Sequence, residues 1–393
     1  MSATGDSHIT RRDVVRSGLA GAALTAVAAT PSAAQPAGSA PAQAGQAAAG
    51  AGPSMRAGHD GYPVVDIYCH IVPERFFVEM NRVAPNLGNI AARLRSVKKL
   101  SDLDLRFSEM DQFGDYRQII SLPNPPIEDF AKGPVGLELA RIGNDSMAEL
   151  CRQHPKRFPG FVAAVCMTDV EGSVAEARRA IKDLGARGVQ IFTNFAGKPL
   201  DDPSYAPMFA TLAEFDLPVW LHPARTASMT DYTSEAKSRF EMWWCFGWPY
   251  ETSVAMSRLV FSGLFDRHPK LKIITHHCGG MIPFYDGRIG AGMDVLGSRT
   301  SDEDYSKVLS SLKRPHLDYF RDFFADTAMF GGQYGVGCGL EFFGIDKIVF
   351  ATDTPLGPIA PTIAAIDQLE LDPAERRKVF CGNAEDLLKI KFG

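Results

Sequence analysis

Paired cysteines are missing from this sequence. Its seven cysteines (69, 151, 166, 245, 278, 338 and 381) are scattered, odd in number and never spaced C-x-x-C, which argues against a disulfide framework or a zinc ribbon. They read as small buried hydrophobes. A basic excess is also missing. With 41 basic and 46 acidic side chains the formal charge is -5, which gives no electrostatic footprint for nucleic acid. Past residue 60 no apolar run reaches membrane-spanning length. No G-x-G-x-x-G follows the first candidate strand, which weakens a dinucleotide-binding sheet.

What is present divides into three parts. Arg11-Arg12 is followed by the alanine-rich stretch 18–30 and then by the small residues Ser32-Ala33-Ala34. A charged start, a short apolar run and a cleavage site in that order predict a twin-arginine signal peptide over 1–34, with the mature chain exported to the periplasm. Residues 35–60 are rich in Ala, Gly, Pro and Gln and read as a solvated linker. Residues 61–393 are long enough for one large α/β barrel.

Within that third part, short apolar runs alternate with helix-length segments. The strand candidates are 64–68, 118–122, 161–166, 188–193, 217–221, 271–276, 323–327 and 347–352. Helices are expected over 174–184, 205–215, 251–265 and the approach to 341–343. Eight strands joined by helical crossovers predict a closed (β/α)8 TIM barrel, with an open doubly wound sheet as the rival. Two connections are long, 71–116 and 223–250. The second clusters Trp243, Trp244, Phe246 and Trp248, either as a wall for a flat substrate or as a satellite core.

The apolar runs repeatedly end in a residue able to bind metal or carry a proton. These are His70, His222, the pair His276-His277, and Asp353. In a closed parallel barrel such ends share one face. Two imidazoles and a carboxylate (His70, His222 and Asp353) suit a catalytic divalent metal, zinc first and manganese second, with His277 left for proton transfer. Strand alternation turns His276 away from His277, so His276 is expected to be structural.

Several segments resemble the amidohydrolase-related branch that includes aminocarboxymuconate-semialdehyde decarboxylase and the resorcylate and dihydroxybenzoate decarboxylases. They are 109–114, 154–158, 249–252, 261–263, 265–269, 277–280, 351–355 and 381–384. The resemblance runs from about Val64 to Leu388. It implies metal ligation by His222 and Asp353, acid/base work by His277, and a homodimer in which Arg288 holds the substrate carboxylate across the interface. One position departs from the pattern: Tyr68 stands where the family has His or Glu. Alternation places Tyr68 on the same face as His70, as a ligand, a hydrogen-bond donor or a substrate contact, the last two being preferred. The resemblance implies a small-molecule substrate and non-oxidative decarboxylation of an aromatic or unsaturated acid. Hydrolysis of a lactone, amide or ester by the same residues is the alternative, and a binding protein that has lost catalysis is a third reading.

Overall fold

A strand covered on both faces should be apolar throughout rather than alternating, and β1, Val64–His70, and β5, Pro218–His222, are buried at every position. The computed structural model describes residues 61–393. The signal peptide and linker expected over 1–60 lie outside the described residues. The remaining barrel strands are β2 (Tyr116–Ser121), β3 (Gly160–Phe161), β4 (Val189–Phe192), β6 (Lys272–Thr275), β7 (Phe324–Asp326) and β8 (Ile348–Val349).

Parallel pairing joins β1 to β2 to β3, and β4 through β8 in order. A parallel bridge between Ala163 and Val189 links the two sets. The ring closes where Ile67 N–H donates to the Phe350 carbonyl at 3.0 Å. All eight strands therefore run the same way around a closed barrel, and the open-sheet rival is excluded. The β1–β2 register shifts between Asp66 and Cys69, an irregularity next to the site.

The expected helices are present as Val170–Lys182, Ala206–Phe215, Gly247–Phe261 and Gln333–Phe343. Asp169 caps the first, its carboxylate accepting from Gly172 N–H at 2.9 Å. The longest helix among the described residues, Gly133–Gln153, is not among the sequence expectations. Its glycines permit close packing. A Cβ at Gly136 would lie 2.4 Å from Cys166 Sγ, and one at Gly143 would lie 2.8 Å from Leu122 Cδ1. Among the described residues, no helix is long and apolar enough to cross a membrane.

Candidate metal centre and substrate cavity

The C-terminal strand ends bring His70, His222, His276 and Asp353 together, with one donor atom of each lying within 4.8 Å of the others. All four are buried. Each imidazole is held from behind. His70 Nδ1 meets Ser121 Oγ at 3.0 Å, while the Ser121 hydroxyl donates to the Cys69 carbonyl. His222 Nδ1 faces the Pro223 carbonyl at 2.8 Å and Asn124 Nδ2 at 3.2 Å, and the shorter contact, to a group that only accepts, favours the proton on Nδ1. His276 Nδ1–H donates to the Asp326 carboxylate. Each of these bonds leaves an Nε2 lone pair free to face the common centre.

The donor set fits a divalent metal. His70 Nε2, His276 Nε2 and Asp353 Oδ1 are buried without hydrogen-bond partners. His70 Nε2 stands 2.9 Å from Asp353 Oδ1 but outside hydrogen-bond geometry. Burying such groups unpaired is costly, and a cation at their centre would satisfy all of them. Burial, together with the neighbouring His276 and His70, pushes His222 well below its ordinary pKa and keeps it the neutral imidazole a metal needs. Desolvation acts to raise the Asp353 pKa, but His276, His277 and His70 outweigh it and hold the carboxyl well below the usual range.

His276 corrects the expectation from alternation. The β6 ladder ends at Thr275, and the backbone then enters left-handed conformations at His277 (φ 52°) and Cys278 (φ 54°). Period-two alternation applies only within a strand, so both imidazoles turn toward Asp353. His277 Nε2 lies 3.9 Å from Asp353 Oδ2, and its ring stacks on Trp248 with centroids 5.9 Å apart. Burial and the adjacent His276 lower the His277 pKa.

Tyr68 is fully buried, its ring 4.3 Å from that of His276 and 5.3 Å from that of His70. Its hydroxyl has no hydrogen-bond partner. Burial, with Asp326 and Asp353 nearby, pushes its pKa well up, so it is a neutral phenol.

Above the centre opens a cavity of about 350 Å³ whose lining includes Asp353, Asn124, Arg225 and Leu356 together with Trp243, Trp244, Trp248 and Phe330. That volume suits a single substituted ring. The indoles of Trp243 and Trp244 contact Trp248 at centroid distances of 5.6 and 6.3 Å. They are a cavity wall rather than a satellite core. Phe246, from the same cluster, is 67% exposed and does not line it. Arg288 is exposed, lies over the Tyr285 ring and does not line the cavity of its own chain. Asp326 and Asn124 escaped the sequence reading. Asp326 ends β7 and stands one residue inside the end of the expected run 323–327, so a strand-end rule relaxed by one position flags it.

Comparison with known proteins bears on this geometry. The amidohydrolase family model matches residues 65–390. The chain belongs to the amidohydrolase family. It is 33% identical over 299 residues to gamma-resorcylate decarboxylase of Polaromonas sp. strain JS666, covering 73% of this chain and 87% of the relative. It is 29% identical to 2-amino-3-carboxymuconate-6-semialdehyde decarboxylase of Dictyostelium discoideum, covering 74% and 77%. Among solved structures, dihydroxybenzoic acid decarboxylase from Polaromonas sp. JS666, with bound manganese, superposes with a TM-score of 0.68 at 28% identity, covering 84% of this chain and 97% of that one. The TIM-barrel fold and divalent-metal chemistry of this amidohydrolase agree with these relatives.

Proposed function

We propose that this amidohydrolase is a metal-dependent, non-oxidative decarboxylase of an aromatic or unsaturated carboxylic acid. The observation that carries the reading is the convergence of three back-bonded imidazoles and Asp353 at the floor of an indole-walled cavity sized for one ring. Decarboxylases among its relatives support it.

His70, His222, His276 and Asp353 would hold the ion; zinc is the expected metal, and elemental analysis of purified protein distinguishes it from manganese. A bound divalent ion supplies positive charge at the substrate carboxylate or an adjacent oxygen. The wall of Trp243, Trp244 and Trp248 orients the ring and excludes water. His277, once protonated from solvent to the imidazolium, would deliver a proton from Nε2 to the ring carbon bearing the carboxylate and return to the neutral imidazole. The C–C bond then breaks, its electron pair restores the π system, and carbon dioxide leaves. The Asp353 carboxylate, its Oδ2 3.9 Å from His277 Nε2, favours the charged form of that imidazole.

The test is carbon dioxide release from hydroxylated benzoates and muconate-type acids by metal-replete enzyme, one molecule per molecule of decarboxylated product. Turnover of lactones, amides or esters with no carbon dioxide would replace this reading with the hydrolase. His277→Asn should lower kcat by about two to four orders of magnitude while the metal stays bound.

Homodimerisation with Arg288 reaching a second copy's cavity belongs to the same proposal. The exposed Phe284 and Tyr285 beside Arg288 support it. Mixing inactive Arg288→Ala and Asp353→Asn proteins should restore part of the activity through mixed dimers, and a monomer by light scattering would refute it.

A further inference from the structure

Besides Asp353 the charged residues lining the cavity are Arg93, Asp129, Arg225 and Glu241, and of these four only Arg225 is not exposed. Arg225 lines the same cavity as Asp353 and sits on the loop leaving β5, shortly after His222. Its side chain is only 19% exposed. Nη1 donates to Glu251 Oε1 at 3.2 Å, and Nη2 reaches the Thr230 carbonyl at 3.4 Å. Nε is buried without a partner. A Cβ on Gly247 would stand 2.4 Å from Arg225 Cδ and 2.8 Å from Nε, so the side chain runs against bare backbone. Trp248, which stacks on His277, donates its indole N–H to the Arg225 carbonyl at 3.1 Å. The segment carrying the cation is thus tied to the wall beside the reacting centre.

A half-buried ion pair is a poor source of stability, since desolvating both charges offsets their attraction. Burial indeed raises the Glu251 pKa despite its arginine partner. The arrangement makes better sense as a binding device. We propose that Arg225 forms a specificity subsite for a hydroxyl or methoxyl oxygen on the substrate ring, remote from the carboxylate that is lost. The inference rests on the carboxylic-acid reading of the site. A guanidinium has five N–H donors and no acceptor, so with two donors engaged its remaining partners must be acceptors. Glu251 already balances its charge, so a neutral oxygen suffices. Asp353 and Arg225 line one cavity, so a substrate held there shares it with the guanidinium.

The test measures binding rather than turnover. Three of the four tryptophans line the cavity, so their emission reports occupancy of the manganese-loaded enzyme. Salicylate is compared with salicylates carrying one further ring hydroxyl or methoxyl. The wild type should bind the best of these about tenfold or more tightly than salicylate, as a hydrogen bond to a charged donor allows. Arg225→Met should abolish that ratio while changing salicylate affinity by less than about twofold. Gly247→Ala keeps the guanidinium but displaces it, and should lower the ratio too, which covers the case in which Arg225→Met fails to fold. An unchanged ratio in the folded variants overturns the subsite alone. Absence of binding by every acid overturns the proposed function and this subsite with it.

Discussion

His276 and His277 are neighbours in the chain, yet one is held from behind by Asp326 and the other stacks on Trp248. That difference separates a metal-facing imidazole from one free to move a proton. Asp326→Asn removes the charge that orients His276, and metal affinity should fall about 10- to 100-fold, read by competition with a chromophoric chelator. Tyr68 makes a different claim. Its hydroxyl is unpaired, and its ring packs against those of His70 and His276. Tyr68→His would add an imidazole at that position, and metal occupancy by elemental analysis should hold or rise; unchanged occupancy together with unchanged activity would place residue 68 outside the centre. Strand alternation alone aligned Tyr68 with His70. It misjudged His276 because the strand stops one residue earlier and φ turns positive one residue later, at His277.

At the scale of elements, the connections after the strands carry both the site and a cost. The short turn Ile127–Asp129 after β2 buries Glu128, which accepts from Met167 N–H at 2.7 Å while its second oxygen has no partner. Desolvation raises its pKa from 4.5 to about 7. Because the folded state holds this proton more tightly than the unfolded chain, stability is greatest below the unfolded value. It falls as pH rises toward 7 and then levels, about 3 kcal/mol lower in this one contribution. Glu128→Gln should flatten that slope, visible as a smaller difference between urea midpoints at pH 5 and pH 8. Equal slopes in both proteins would remove Glu128 from the account. The Gly133–Gln153 helix packs next to this turn. Its glycines hid it from a reading by local propensity, because what favours them is the closeness of Leu122 and Cys166, a tertiary fact.

For the whole molecule, closure is what matters. Ile67 bonding to Phe350 turns a row of strands into a ring and brings His70 beside Asp353. We propose that Arg11-Arg12 directs export of the enzyme. Replacing both Arg11 and Arg12 by Lys should hold the full-length chain in the cytoplasm, measured by fractionation against the unaltered protein. Equal periplasmic recovery of both would remove the twin-arginine reading.

The apolar runs and the polar residues that end them were enough to predict an eight-stranded barrel with His70, His222 and Asp353 at its mouth. Each is a matter of local pattern: β-favouring stretches must be buried, and a polar group survives beside them only where the strand stops. Tertiary structure alone decided that His276 joins the centre and that Asp326, Ser121 and Pro223 orient the imidazoles. It also brought Arg225 beside a bare glycine backbone facing the cavity. Those outcomes depend on strand lengths and on loops meeting across the barrel, distances that no window of sequence contains.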